Sequence, residues 1–152
     1  MLEDWAAPTW ILFHTLAEKI KIEYYDETKG ELLELIISIS CNLPCPHCSL
    51  HSKEYFKKIN KKKNINENKE DLIKLLYDFH NNVNIRLNKP IFEFENLQTY
   101  KTSNTIQVVN TFINRYTISN NRSHLFHRAL TAKHIIMNMI NWFNKNIYRF
   151  DL

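Results

Sequence analysis

A single glycine, at position 30, and only four prolines leave this 152-residue chain with little of the turn chemistry that a sheet protein needs. Its apolar residues recur instead at spacings of three and four, the period at which side chains line up along one face of a helix, and no stretch reads as a convincing strand. The expected fold class is all-α. A chain of this length buries roughly 70% of the surface its unfolded form exposes, so one core suffices without disulfides.

The first helix is expected from Pro8, a proline in the first turn where its missing N–H is harmless, to about Ile22, with Trp10, Phe13, Ala17 and Ile20 on its apolar face. A second runs from about Lys29 to Ser40 (Leu32, Leu35, Ile36, Ile39) and stops at Leu43-Pro44. A third opens at Pro46 and continues to about Asn60. The fourth has the clearest pattern, starting near Asp71, carrying Leu72, Leu76, Phe79, Val83 and Leu87, and ending at Pro90. Later signals are weaker: a helix over 105–116, a polar separator SNNRS at 119–123, and a longer helix over 123–147.

A formal charge of +4 comes largely from lysines within Lys53–Asp71, which is expected to be a solvated loop rather than a nucleic-acid patch. No apolar run approaches the ~20 residues of a membrane span. The amino terminus, MLEDWAAPTW, lacks the pattern of a signal peptide, so a cytoplasmic setting is expected.

All three cysteines fall in one eleven-residue stretch, CNLPCPHCSLH, at 41–51. Three clustered cysteines without a secretory context point to redox chemistry or metal rather than a disulfide framework. A pair spaced i, i+3 at a helix start can close a small ring, and the helix dipole there favours thiolate. Alternatively Cys41, Cys45, Cys48 and His47 or His51 supply zinc ligands, although a structural zinc site normally joins two separated ligand pairs. His124 and His127 are spaced HxxH but read as surface residues of a helix. Inert thiols are the third reading. A thioredoxin fold is disfavoured, since ELLELIISIS before the motif has helical, not strand, periodicity.

Three segments together resemble the Erv/ALR family of FAD-linked sulfhydryl oxidases, and most of all its large-DNA-virus members: TWILFHTLA at 9–17, LPCPHCSLHS at 43–52 and HNNVNIRLNKPIF at 80–92. The third is the most specific. The resemblance implies a four-helix bundle holding FAD, spanning 1–95, with residues 96–152 as additional helices packed on the same domain. It implies a thiol oxidase that makes disulfides in client proteins, acting as a homodimer in the host cytoplasm or virion. Cys45 and Cys48 are then the catalytic pair: a client dithiol attacks Cys45, Cys48 passes the electrons to the flavin, and dioxygen is reduced to hydrogen peroxide. The implied cofactor residues are Trp10, His14, His51, His80, Asn81, Val83, Asn84, Leu87, Lys89 and Phe92. Trp10 and His14 share one helix face and His80, Asn84 and Leu87 another, so that the two could sandwich a planar ring; Arg86 and Lys89 could meet its phosphates.

The chain departs from the family pattern in three respects. The second, structural cysteine pair of the family is replaced by Tyr77 and Phe94, Ala6-Ala7 precede the first tryptophan of the motif, and there is no extra shuttle CxxC. Cys41 is expected to be a buried or idle thiol. The competing class of function is a zinc-stabilised helical binding module without enzymatic activity.

Overall fold

The structure, a computed structural model, describes residues 4–62, 64–122 and 126–152. Six α-helices occur among the described residues: α1 (Ala6–Lys19), α2 (Ile22–Ser40), α3 (Pro46–Ile59), α4 (Lys69–Arg86), α5 (Thr105–Asn121) and α6 (Phe126–Asn146). Two 3-10 segments, Phe94–Thr102 and Ile147–Arg149, complete the order. The all-α expectation holds. None of the described helices is long and apolar enough to cross a membrane.

Helix α1 is the hub: it packs against α4, α5 and the 3-10 segment at 94–102, while α2 lies against α3 and α6, and α5 against α6. Leu12 and Leu16 of α1, Ile36 of α2 and Leu76 of α4 share one contiguous core with Phe112 and Tyr116 of α5 and Met139 and Phe143 of α6. At about 25 cal/mol per Å² of apolar surface, burial of such side chains is the main force holding the layers together.

Several boundaries differ from the sequence reading, each for a local or tertiary reason. α1 ends at Lys19 rather than Ile22, because Ile20 turns extended and pairs with Phe150 in an isolated antiparallel bridge. Asp151 N–H donates to Lys19 O (2.8 Å), and the Lys69 ammonium donates to Glu18 O and Ile20 O (2.7 and 2.8 Å), so the open carbonyls at this helix end are met by remote parts of the chain. α2 begins at Ile22, well before Lys29, and Tyr25 in this extra stretch is buried with its hydroxyl bonded to Asn66. α4 starts two residues before Asp71: Asn68 is its N-cap, and Asn68 and Asp71 exchange side-chain and backbone hydrogen bonds as a capping box. It stops at Arg86 rather than at Pro90, because Asn88 is left-handed (φ 53°) and Lys89 N–H turns back to Asn84 O (2.9 Å).

The stretch Lys53–Asp71 is not one loop. Lys53 to Ile59 form the end of α3 and Lys69 opens α4, and the described residues between them are in neither helix. The separator expected at 119–123 is helical as far as Asn121, so α5 runs one turn longer than foreseen; residues 123–125, where the last helix was expected to open, lie outside the described residues. The 3-10 segment at 94–102 was not foreseen. Phe94 in it meets Tyr77 of α4 edge-to-face at 5.3 Å, so the two positions that carry a cysteine pair in the related pattern are here joined by an aromatic contact.

Candidate functional site

Proline at the first position of α3 lets Cys45 act as its N-cap, and the Cys48 N–H donates to Cys45 Sγ at 3.2 Å. The two cysteines form a disulfide with Cα atoms 5.2 Å apart. Its halves face different surroundings. Cys48 lines a cleft between α1, α3 and α4, whereas Cys45 is not part of that wall.

The cleft is walled by Trp5, Trp10, Phe13, Leu43, Phe79, Val83 and Leu87, with Thr9, Ser52 and Asn84 as polar points and Arg86 and Lys89 as cations. Five of the predicted cofactor residues therefore meet around the Cys48 sulfur: Trp10, Val83, Asn84, Leu87 and Lys89. The sequence reading missed Trp5 and Phe79 as wall residues, although the spacing of Trp5, the N-cap of α1, with Thr9 and Phe13 on that helix is a helical face signal. Space between the walls amounts to about 550 Å³ with the part open to solvent included, and only about 50 Å³ of it is room for water. That is room for a few water molecules.

Behind the cleft stands a column of stacked rings. Trp10 and His80 lie 4.0 Å apart and within 8° of parallel, His80 and Phe92 at 4.7 Å, and His14 stacks on Phe92 (5.3 Å) and Tyr100 (5.1 Å). The Trp10 and His80 rings touch each other, so no ring fits between those two side chains; the cleft between their helices is lined instead by Trp10 on one side and Val83, Asn84 and Leu87 on the other, and it lies toward Cys48. Tyr100, from the unforeseen 3-10 segment, also escaped the sequence reading.

His14 Nε2 and His80 Nδ1 share a hydrogen bond of 3.0 Å. Burial, then the neighbouring His80, holds the His14 imidazole well below its ordinary range; burial, then Lys89, does the same for His80. Both rings are neutral at pH 7, so one nitrogen of the bond donates and the other accepts.

Asn81 and His51 stand apart from the cleft wall. The Asn81 amide is committed to one backbone unit: Nδ2 donates to Phe92 O (3.0 Å) and Oδ1 accepts from Phe92 N–H (2.8 Å), with a longer bond from Asn84 Nδ2 (3.4 Å). It anchors the segment after α4 and so seats the Phe92 ring, rather than presenting a free amide to a ligand. His51 lies one turn beyond Cys48; burial lowers its basicity, with Arg86 adding and the Asn82 side chain opposing. Its Nδ1 is buried and has no hydrogen-bond partner in the structure.

These observations fit a flat aromatic group with an anionic tail. The cleft supplies an apolar slot, a sulfur at its wall and two nearby cations; outside that wall, His51 Nδ1 is a buried polar atom that lacks a partner. The zinc alternative finds no support: Cys45 and Cys48 are bonded to each other, and no three His, Cys, Asp or Glu side chains among the described residues converge to hold a metal. Cys41 is half-buried and not disulfide-bonded, and burial pushes its thiol up against the opposing pull of Lys53, which makes it a poor nucleophile. His127 is exposed, and His124 lies outside the described residues.

A sequence model of the Erv1/Alr family matches residues 7–103. The FAD-linked sulfhydryl oxidase of African swine fever virus (isolate Tick/Malawi/Lil 20-1/1983) is 32% identical over 111 residues, covering 68% of this chain and 87% of that one. The mitochondrial FAD-linked sulfhydryl oxidase ERV1 of Saccharomyces cerevisiae is 29% identical over 92 residues, covering 60% of this chain. The match spans just under half, 47%, of the yeast protein. A protein of Invertebrate iridescent virus 6 is 31% identical over 91 residues, 57% of this chain and 82% of that one. No solved structure matches the chain.

Proposed function

The chain belongs to the Erv1/Alr family, and from that membership we propose that it is an FAD-dependent thiol oxidase which forms disulfides in client proteins. The observation that carries the reading is a disulfide at a helix start with one sulfur, that of Cys48, in the wall of an aromatic cleft.

Cys45 receives the client. A client thiolate attacks Cys45 Sγ, a mixed disulfide forms, and the Cys45–Cys48 bond breaks with its electron pair left on Cys48 as thiolate. The second client thiol then attacks the client sulfur of the mixed disulfide and leaves the client oxidised and both cysteines reduced. The Cys48 N–H directed at Cys45 Sγ and the dipole of α3 favour negative charge on the Cys45 sulfur. Bound FAD would supply the two-electron acceptor for the reduced pair, with dioxygen as final oxidant and hydrogen peroxide as product. The residues that would hold it are Trp10, Val83, Asn84 and Leu87 along the slot, Lys89 and Arg86 toward the phosphates, and His51 through its unpartnered Nδ1. His14, His80 and Phe92 form the stacked backing, and Asn81 acts through Phe92. Apolar walls leave room for only a few waters beside the sulfur of Cys48.

The reading extends to a homodimer working in the host cytoplasm or virion. The family resemblance supports the dimer and the viral relatives support the setting; a sedimentation run that finds only monomer removes the dimer.

Purified protein tests the function directly. A yellow preparation with flavin absorbance that consumes oxygen in the presence of dithiothreitol is expected, and Cys48→Ser should keep the absorbance and lose the oxygen consumption. Sustained turnover by Cys48→Ser would overturn the role given to that sulfur.

A further inference from the structure

The loop that delivers Cys45 to the redox pair is held from outside the family-matched segment. Matching ends at residue 103, yet the carbonyls of Asn42 and Leu43, just ahead of Cys45, are bound by side chains of α5 and α6. Tyr116, buried to 0% exposure in the core, donates its hydroxyl to Asn42 O at 2.6 Å. Arg128 donates Nη1 to Leu43 O at 2.6 Å, and the same oxygen accepts Ser49 Oγ from α3 at 3.1 Å. Leu43 in turn is buried and lines the same cleft as Cys48. Two successive peptide units thus run from the C-terminal helices to the disulfide.

We infer that Tyr116 and Arg128 are positioning residues for the Cys45–Cys48 pair: by pinning residues 42–43 they set how readily the disulfide is reduced. The inference rests on the redox reading of the pair. Closed, the two Cα atoms sit 5.2 Å apart, inside the ordinary disulfide range. Opened, the two sulfurs must withdraw to van der Waals separation, and the reduced loop gains whatever freedom its anchors allow. Anchors that hold residues 42–43, the segment leading into Cys45, in their closed position deny that freedom to the dithiol and so favour the disulfide, since a reduced state with less conformational entropy is less favoured. An arginine is suited to this, since a charge-assisted bond to a carbonyl is stronger than a neutral one.

The test is an anaerobic titration of the full flavin-loaded chain in dithiothreitol buffers. Dithiothreitol gives up two electrons and two protons, closing to its cyclic disulfide as the Cys45–Cys48 bond opens to two thiols; alkylation then adds three labels to the reduced chain and one to the oxidised. Arg128→Met and Tyr116→Phe are each expected to make the pair about tenfold easier to reduce, equal to about 30 mV for a two-electron couple. Arg128→Lys should fall between, and Lys133→Met, at an exposed position of the same helix, should titrate as the parent. Tyr116→Phe removes one oxygen and keeps the test open should Arg128→Met fail to fold. A lowered melting temperature with midpoints within twofold of the parent in both variants would overturn the inference and leave the oxidase reading standing. A parent chain whose pair does not titrate at all would overturn the oxidase reading as well.

Discussion

Replacing Asn81 with alanine tests the claim that this side chain organises the site by way of the backbone. The Asn81 amide meets both the N–H and the C=O of Phe92, at 2.8 and 3.0 Å, and is itself only 9% exposed. A hydrogen bond of this kind contributes about 1 kcal/mol net, and a half-buried partner left unpaired adds to the loss, so Asn81→Ala should cost about 2–3 kcal/mol. For a domain of this size each kcal/mol moves the melting temperature by about 2–4 °C, which gives a fall of about 4–12 °C. The consequence reaches the ring column, because Phe92 stacks on His80 at 4.7 Å and on His14 at 5.3 Å only while its backbone is held. Thermal unfolding measures the first effect, and flavin retained through gel filtration measures the second. Asn81→Asp keeps the acceptor for Phe92 N–H but sets a carboxylate against Phe92 O, so it should also destabilise. Ile85→Ala, at a position 64% exposed on the same helix, should change stability by no more than about 0.5 kcal/mol. A melting temperature for Asn81→Ala within about 1 °C of the parent would refute the reasoning.

Acidification should weaken the fold through the two neutral imidazoles. Their folded basicity is lowered by burial, so the unfolded chain binds protons first as pH falls below about 6.5, and stability declines from there toward the folded values. At pH 5.5 the loss is at most about 1.4 kcal/mol for each ring, and less for the partly exposed His80; urea unfolding at pH 7.5 and 5.5 measures it, and His14→Gln should reduce the difference. Tyr77→Ala should release the 3-10 segment: loss of the 5.3 Å edge-to-face contact with the half-exposed Phe94 is worth about 1 kcal/mol, read as faster amide exchange over residues 94–102. Exchange unchanged there would show that the aromatic pair does not hold the segment.

Much of this protein was legible in one dimension because its signals act over one turn of chain. Apolar spacing placed α1 to α6, and Pro46 after Cys45 set the start of α3 in agreement with the structure. The motif carrying Cys48 and the segments carrying Trp10 and Val83 to Lys89 do meet at one cleft. What local signals lacked were partners far along the chain. α1 ends where Phe150 and Lys69 arrive, more than forty residues away, and nothing near Ile20 announces either. Asn81 looks like a ligand-facing amide until Phe92 folds back onto it, and Trp10 and His80 look like two halves of a slot until packing brings their rings into contact. The carbonyls before Cys45 carry no mark in the sequence of the tyrosine and arginine, about seventy and eighty-five residues on, that bind them. Helix formation is decided by neighbours within four residues, whereas the commitment of a polar group is decided by whichever donor or acceptor the packed chain brings within 3 Å, and that only the tertiary structure determines.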